Sequence, residues 1–164
     1  MARIGRSIAL AVAVGILLAG CTTPAPAQQD HVAAKAQLAT LLEVAQDAIG
    51  GEWERSDTGA RACALEGGGE GANYLLSRLG PGVATSAQQP IVDAIIDAWI
   101  EQGVDAEVTT KPEVNDVVVT QLRYPGGGVG PGGFYVEVWI SDRASSASGQ
   151  TACASGDPAE INSP

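Results

Sequence analysis

Histidine and positive charge are both scarce in this 164-residue sequence. His31 is the single histidine, so the chain alone cannot build a histidine-based catalytic triad or a multi-histidine metal site. Nine Lys and Arg residues stand against 19 Asp and Glu residues, for a formal net charge of −10. This negative surplus disfavours nucleic acid, or an anionic lipid surface, as a direct partner of the folded body. We therefore expect no nucleic-acid partner.

The N-terminal segment has the parts of a secretion signal. Arg3 and Arg6 precede an apolar run at 8–18, which at eleven residues is too short to cross a bilayer as a helix. The run ends in Leu18-Ala19-Gly20-Cys21, which resembles the lipobox of bacterial lipoproteins. The resemblance implies that the Cys21 sulfur receives a diacylglyceryl group and that the signal peptide 1–20 is removed. The alternative is a soluble secreted protein cleaved after Ala25-Pro26-Ala27.

A lipidated Cys21 predicts a protein anchored in the cell membrane and facing away from the cytoplasm. Each buried CH₂ of an acyl chain such as palmitate contributes about 0.8 kcal/mol, so two or three chains hold stably. Residues 21–29 contain two prolines and no large apolar residue, and they predict an extended tether. Thr22 and Thr23, close to those prolines, are candidate glycosylation sites.

Cysteine is also rare, with three residues in the chain. If Cys21 carries lipid, Cys63 and Cys153 remain, and such a pair is usually oxidised outside the cytoplasm. We therefore predict a structural disulfide that closes a loop of about ninety residues. A redox pair or a thiol nucleophile is the alternative, but the spacing is not C-x-x-C, and no histidine or basic cluster lies near either cysteine in the sequence.

We predict that residues 30–157 form a single globular domain of the α+β class and that residues 158–164 form a flexible tail. The element order is α-β-β-α-β-β-β, and the polar or glycine-rich segments 52–59, 66–71, 111–115 and 144–150 are interpreted as loops or turns. Two amphipathic helices need one sheet face to bury against, so we predict a two-layer sandwich with both helices on one face of a mainly antiparallel sheet of about five strands. The predicted helices are 30–49 and 86–102, and the predicted strands are 61–65, 73–79, 104–110, 116–124 and 133–141.

Three local signals refine this prediction. Asp30 is the expected N-cap of the first helix, and Ser86 with Gln89 has the pattern of a capping box for the second. In the second helix, Trp99 falls on an apolar stripe and is expected in the core. His31, beside the tether, is interpreted as a solvated linker residue.

Two glycine-rich segments are candidate sites. The segment 126–133 has no Lys and no following helix, so it is predicted to be a hairpin loop rather than a phosphate loop. Glu66 and Glu70 flank the other glycine run, and paired carboxylates serve glycoside hydrolysis or calcium binding. No regular spacing of further oxygen ligands accompanies them, so they are interpreted as solvated loop charges, and no metal site is predicted.

Aromatic residues make up 4% of the chain, and five of them are candidates for the lining of a ligand groove. Tyr135 and Trp139 alternate along one strand with Phe134 and Val136, so the two pairs lie on opposite faces. If the helices cover the Phe134 face, Tyr135 and Trp139 form an exposed aromatic patch, which usually marks a binding site. We take Tyr135 and Trp139 as candidate ligand-binding residues. The other aromatic candidates are Trp53, Tyr74 and Trp99.

The order of features along the chain resembles that of small actinobacterial cell-envelope lipoproteins of the LppA-like group. These features are the lipobox, the proline-rich tether, the helix, the Trp and Cys before the first strand, and the late second Cys. The resemblance implies an envelope location and transfers no catalytic residue. We expect a non-enzymatic binding or accessory module without a cofactor. Its expected partner is an envelope protein or a small hydrophobic or glycan ligand. The alternative is a carboxylate-dependent hydrolase that acts on cell-envelope glycans.

Overall fold

The structure is a computed structural model that describes residues 29–114 and 117–163. The predicted signal peptide 1–20, Cys21 and most of the tether lie outside the described residues. The described part contains helices α1 (His31–Ile49), α2 (Thr85–Glu101) and α3 (Pro158–Ile161), and strands β1 (Glu54–Asp57), β2 (Arg61–Ala64), β3 (Glu70–Asn73), β4 (Leu75–Pro81), β5 (Glu107–Val114), β6 (Val117–Tyr124), β7 (Tyr135–Ile140) and β8 (Ala144–Gln150).

The main sheet has six strands in the order β1-β4-β8-β7-β6-β5, and every neighbouring pair is antiparallel. Strands β2 and β3 form a separate antiparallel pair. Helix α1 lies against β8, β4, β7 and β3, and α2 packs beside α1. The predicted α+β class with helices on an antiparallel sheet is confirmed. The predicted count of strands and helices was too low, because the described part holds eight strands in two sheets and three helices.

Helix α1 forms where the sequence predicts it. The Asp30 carboxylate accepts a hydrogen bond of 2.7 Å from the Val32 amide, which caps the first turn. The helix ends at Gly50, whose φ of 74° suits a residue without a side chain. The buried stripe consists of Ala34, Leu38, Leu41, Leu42 and Ala45.

The N-cap of helix α2 lies two residues before the predicted one, and the predicted capping box at Ser86 is wrong. The N-cap is Ala84, and it makes no side-chain cap hydrogen bond. Trp99 is fully buried, as predicted, and its Nε1 donates a 2.9 Å hydrogen bond to the Leu41 carbonyl on α1. This bond links the two helices directly. The other buried residues of α2 are Gln88, Val92 and Ile95.

Two strands form where loops were predicted. Residues 144–150 are β8, which lies between β4 and β7 in the sheet, and Ala147 within it is fully buried. Residues 54–57 are β1, the short strand at one edge. The single strand predicted at 73–79 is divided, since β3 ends at Asn73 and β4 begins at Leu75.

A disulfide and backbone hydrogen bonds join the β2–β3 pair to the C-terminal part of the chain. Cys63 and Cys153 form a disulfide, which confirms the predicted pairing. Ala72 exchanges two backbone hydrogen bonds with Ala154, at 2.8 and 3.0 Å. The range predicted as a flexible tail contains α3, and the Asn162 side chain beyond it bonds both backbone groups of Ala60.

The opposite edge of the sheet is β5. The predicted strand 104–110 is displaced, because β5 begins at Glu107 and continues through the predicted turn to Val114. Its pairing with β6 shifts in register between Lys111 and Val114. An irregularity of this kind bends a strand and interrupts its hydrogen-bonding pattern.

Candidate binding face

In the described part of the chain, helices α1 and α2 lie on one and the same face of the six-stranded sheet. Val136, Val138 and Ile140 of β7 are fully buried in the hydrophobic core beneath α1 and α2. Because side chains alternate along a strand, Tyr135, Glu137 and Trp139 lie on the opposite face. All three are half-buried. We call this side of the sheet the open face.

The Glu137 carboxylate is the centre of a hydrogen-bond network on the open face. It accepts hydrogen bonds from Arg123 Nη1, from Gln121 Nε2 at 3.1 Å and from Ser148 Oγ at 3.4 Å. Arg123 and Gln121 are on β6 and Ser148 is on β8, so the network joins three neighbouring strands. Donors from both sides fix this carboxylate and hold Glu137 between the two aromatic rings.

A cation lies over each of the two rings. The Arg123 guanidinium carbon is 5.0 Å from the centroid of the Tyr135 ring, and Lys111 Nζ is 5.6 Å from that of Trp139. Both distances are in the range of cation–π attraction. Burial and the charge of Glu137 raise the pKa of Tyr135, although the charges of Arg123 and Arg61 act in the opposite sense. Tyr135 therefore keeps its hydroxyl proton at neutral pH.

A row of serines continues the open face beyond β7. The strand register places Ser56 opposite Ser77, Ser77 opposite Ser148, and Ser148 opposite Glu137. Ser146 lies opposite Trp139 in the next row. Within residues 29–114 and 117–163, the hydroxyls of Ser56, Ser77 and Ser146 make no hydrogen bond to protein. The open face thus presents free hydroxyl groups beside its aromatic rings.

The structure separates the other aromatic candidates from the open face. Trp99 is in the core, and Trp53 lies against Gly80 at the β4 end of the molecule. Tyr74 is 4% exposed and its hydroxyl is 2.8 Å from His31 Nδ1. The prediction that His31 is a solvated linker residue is wrong, because His31 is half-buried in the first turn of α1.

The two glycine-rich segments are both turns between paired strands. Glu66 lies in the turn between β2 and β3, Glu70 is the first residue of β3, and both are exposed. The segment 126–133 connects β6 to β7, as predicted for a hairpin loop. Its Gly128 carbonyl accepts a 2.8 Å hydrogen bond from Arg123, which ties this loop to the open face.

Sequence reasoning found the two rings and missed the polar residues between them. Glu137 was placed on the correct face, but its partners Gln121, Arg123 and Ser148 received no role. Their signal was weak, because alternation on a strand of mixed polar and apolar residues does not show which polar groups meet across strands. Lys111 was assigned to a turn, so its position over Trp139 was not foreseen.

Two further findings concern the described residues alone. No group of three or more His, Cys, Asp or Glu side chains in them is arranged to hold a metal ion. None of the helices they form is both long enough and apolar enough to span a bilayer.

Comparison with known proteins identifies a similar fold and no family. No family model matches the chain, and no curated protein matches it. The fold is similar to the crystal structure of a DUF4853 family protein from Actinomyces odontolyticus, with a TM-score of 0.51 and 17% sequence identity. The match covers 86% of this chain and 75% of that chain. At this identity the likeness extends to the arrangement of helices and strands.

Proposed function

We propose that this chain is a lipid-anchored, non-catalytic module of the cell envelope that binds a glycan on the open face. The observation that carries the proposal is the placement of Tyr135 and Trp139 on the sheet face that the helices leave uncovered. Cys21, as the lipidated residue, would hold the domain at the extracytoplasmic side of the membrane. A tether of residues 21–29 would separate the domain from the lipid.

The chemistry of the open face suits a hydroxyl-rich ligand. Sugar rings present apolar C–H surfaces, which pack against aromatic side chains, and hydroxyl groups, which need fixed hydrogen-bonding partners. The Tyr135 and Trp139 rings supply the first kind of contact. Glu137, Gln121 and the free serine hydroxyls supply the second kind.

A protein partner fits this face less well. The core of a stable protein–protein interface is a close-packed apolar patch with few charged groups. Here the centre of the face is the Glu137–Arg123 ion pair, and hydroxyls lie next to it. The exposed aliphatic residue in this region, Leu79, is at the β4 side and is separated from Trp139 by Ser146.

Co-sedimentation of the mature protein with insoluble envelope glycans tests the proposal. We expect Trp139→Ala and Tyr135→Ala each to weaken binding by about tenfold or more, because removal of an aromatic anchor commonly costs more than 1.4 kcal/mol. Val32→Ala is the matched control, since Val32 is 62% exposed on α1 and away from the open face. Urea unfolding of each variant separates loss of binding from loss of folding.

Two results would contradict the proposal. One is wild-type protein that binds no envelope glycan under any condition in which it is folded. The other is binding that both aromatic variants retain in full. The anchor is tested separately: Cys21→Ala should release the protein from the membrane fraction, and a variant that remains membrane-bound would refute lipidation at this residue.

A further inference from the structure

Lys111 is a cation on the open face that has no acidic partner there. It is half-buried on β5, and its Nζ lies 5.6 Å from the centroid of the Trp139 ring. Its side chain forms no salt bridge and no hydrogen bond with any residue that the structure describes. The ring that we propose as an anchor for a sugar is therefore also the contact of an unpaired ammonium group.

The described carboxylates on the same part of the face do not neutralise this charge. Glu137, two residues before Trp139 on β7, already accepts hydrogen bonds from three side chains. Glu107 is on the same face of β5 as Lys111, but four residues of extended strand separate the two by about 13 Å. It lies instead against Gly126. At such a distance the charges of exposed groups are largely screened, so the Lys111 ammonium remains available to a ligand.

A second unpaired cation lies near the other ring. Arg61 of β2 is exposed and forms no salt bridge in the described part of the chain. Burial and Glu137 raise the pKa of Tyr135, and the charge of Arg61 acts on it in the opposite sense, so Arg61 is close to that hydroxyl group. Arg123, by contrast, is already held by Glu137 and by the Gly128 carbonyl. Each aromatic anchor thus has an unpaired positive charge near it.

The negative surplus of the chain does not cancel these cations. Since a helix with its side chains is about 10 Å across, acidic groups on the outer sides of α1 and α2 are more than a Debye length, about 8 Å, from the open face. Their charges are largely screened there. The exposed acidic residues on these two helices are Glu43, Asp47, Asp93, Asp97 and Glu101.

We propose that the open face selects acidic glycans, whose sugars bear a carboxylate or a phosphate group, and that Lys111 determines this preference. The inference rests on the proposed function and names its substrate class. A sugar that packs against Trp139 competes with the Lys111 ammonium for the ring. An acidic sugar gives the ammonium group an ion-pair partner in exchange, whereas a neutral sugar only removes its cation–π contact. The flexible lysine side chain can turn from the ring to the ligand.

Co-sedimentation with chemically treated forms of one insoluble envelope glycan tests this preference. Carbodiimide with methylamine converts carboxylates to neutral amides, and cold hydrofluoric acid cleaves phosphate esters. We expect one of these treatments to weaken binding of the mature protein by about tenfold, which is the scale of one hydrogen bond to a charged group. The effective treatment identifies the acidic group as a carboxylate or a phosphate. Added sodium chloride should weaken binding to the untreated glycan far more than binding to the treated one.

Substitutions of the two lysines of the chain separate charge from structure. Lys111→Met should bind the untreated glycan about tenfold more weakly than wild type, because it lacks the charge. It should bind the neutralised glycan at least as well as wild type, because no ammonium competes for Trp139. Lys111→Arg should keep the wild-type preference. Lys35→Met is the matched control, since Lys35 Nζ also lies over a ring, 4.6 Å from the centroid of Tyr74, but on the α1 side of the sheet. It should leave both affinities unchanged.

Three results would overturn the inference and leave the proposed function standing. In the first, wild-type protein binds the untreated glycan and both treated forms equally well. In the second, Lys111→Met keeps the full preference for the untreated glycan. In the third, Lys111→Met loses affinity for treated and untreated glycan by the same factor, which indicates a structural role for this side chain. Absence of wild-type binding to every form of the glycan would instead refute the proposed function, and the inference with it.

Discussion

Removal of the Cys63–Cys153 disulfide should destabilise the domain by several kcal/mol. The bond joins residues 90 positions apart, and a loop of that length gives about 4.6 kcal/mol in the chain-entropy model of the unfolded state. The native contacts around the bond survive its loss, because Ala72 and Ala154 still pair through two backbone hydrogen bonds. We therefore expect Cys63→Ser with Cys153→Ser to fold into the same structure with a lower free energy of unfolding.

Urea unfolding followed by circular dichroism measures this effect. For a domain of this size the slope is about 2 kcal/mol per molar urea, so the midpoint should fall by about 2 M. Wild-type protein treated with a reductant should fall by the same amount, which controls for the serine substitutions. A midpoint shift below about 0.5 M, or about 1 kcal/mol at that slope, would refute the reasoning. It would show that the β2–β3 pair does not unfold together with the main sheet.

Two more predictions concern single residues. Gly149→Ala places a Cβ 2.6 Å from Leu38 Cδ1 and should cost about 1–3 kcal/mol in urea unfolding. Gly127→Ala, where nothing lies within 4 Å, is its control and should be nearly neutral. Burial raises the pKa of Asp57, but the hydrogen bonds and charges of Arg78 and Arg55 together outweigh it and hold that pKa below its ordinary value of 3.8. This ion pair therefore stabilises the fold above pH 3.8, and its contribution is lost as the pH falls through the lowered pKa. The stability advantage of wild type over Asp57→Asn should accordingly shrink in acid, and an advantage that is constant with pH would contradict this account.

The helices could be predicted because their signals are local. The apolar spacing in α1, its Asp30 cap and the glycine that ends it all lie within the segment that forms the helix. Strand β8 lacked any such signal, because its sequence is built of Ala, Ser, Gly and Gln rather than of β-branched residues. Tertiary packing explains the small residues of this strand, because Leu38 of α1 lies so close to Gly149 that a larger side chain would not fit. A requirement imposed by another element is not visible in the strand itself.

The candidate site, like the fold, could be predicted only in part from the sequence. Alternation along 135–140 separated Tyr135 and Trp139 from the apolar side chains, but no sequence pattern tells which face a helix will cover. The position of the Trp53 ring could be predicted even less well. It depends on Gly80, which is far along the chain and is opposed to Ser145 on β8 in the folded sheet. Such pairings follow from the register of strands and not from the spacing of residues.

The form of the edge strand β5 bears on whether copies of this protein adhere to one another. Free strand edges invite pairing with a second chain, and proteins protect them with prolines, irregular register and inward-pointing charges. All three occur here: Pro112 has no amide hydrogen, the register shifts after Lys111, and Lys111 extends inward over Trp139. Glu107, at the start of the strand, lies against Gly126. Copies of this chain would thus remain separate at this edge even at high local concentration.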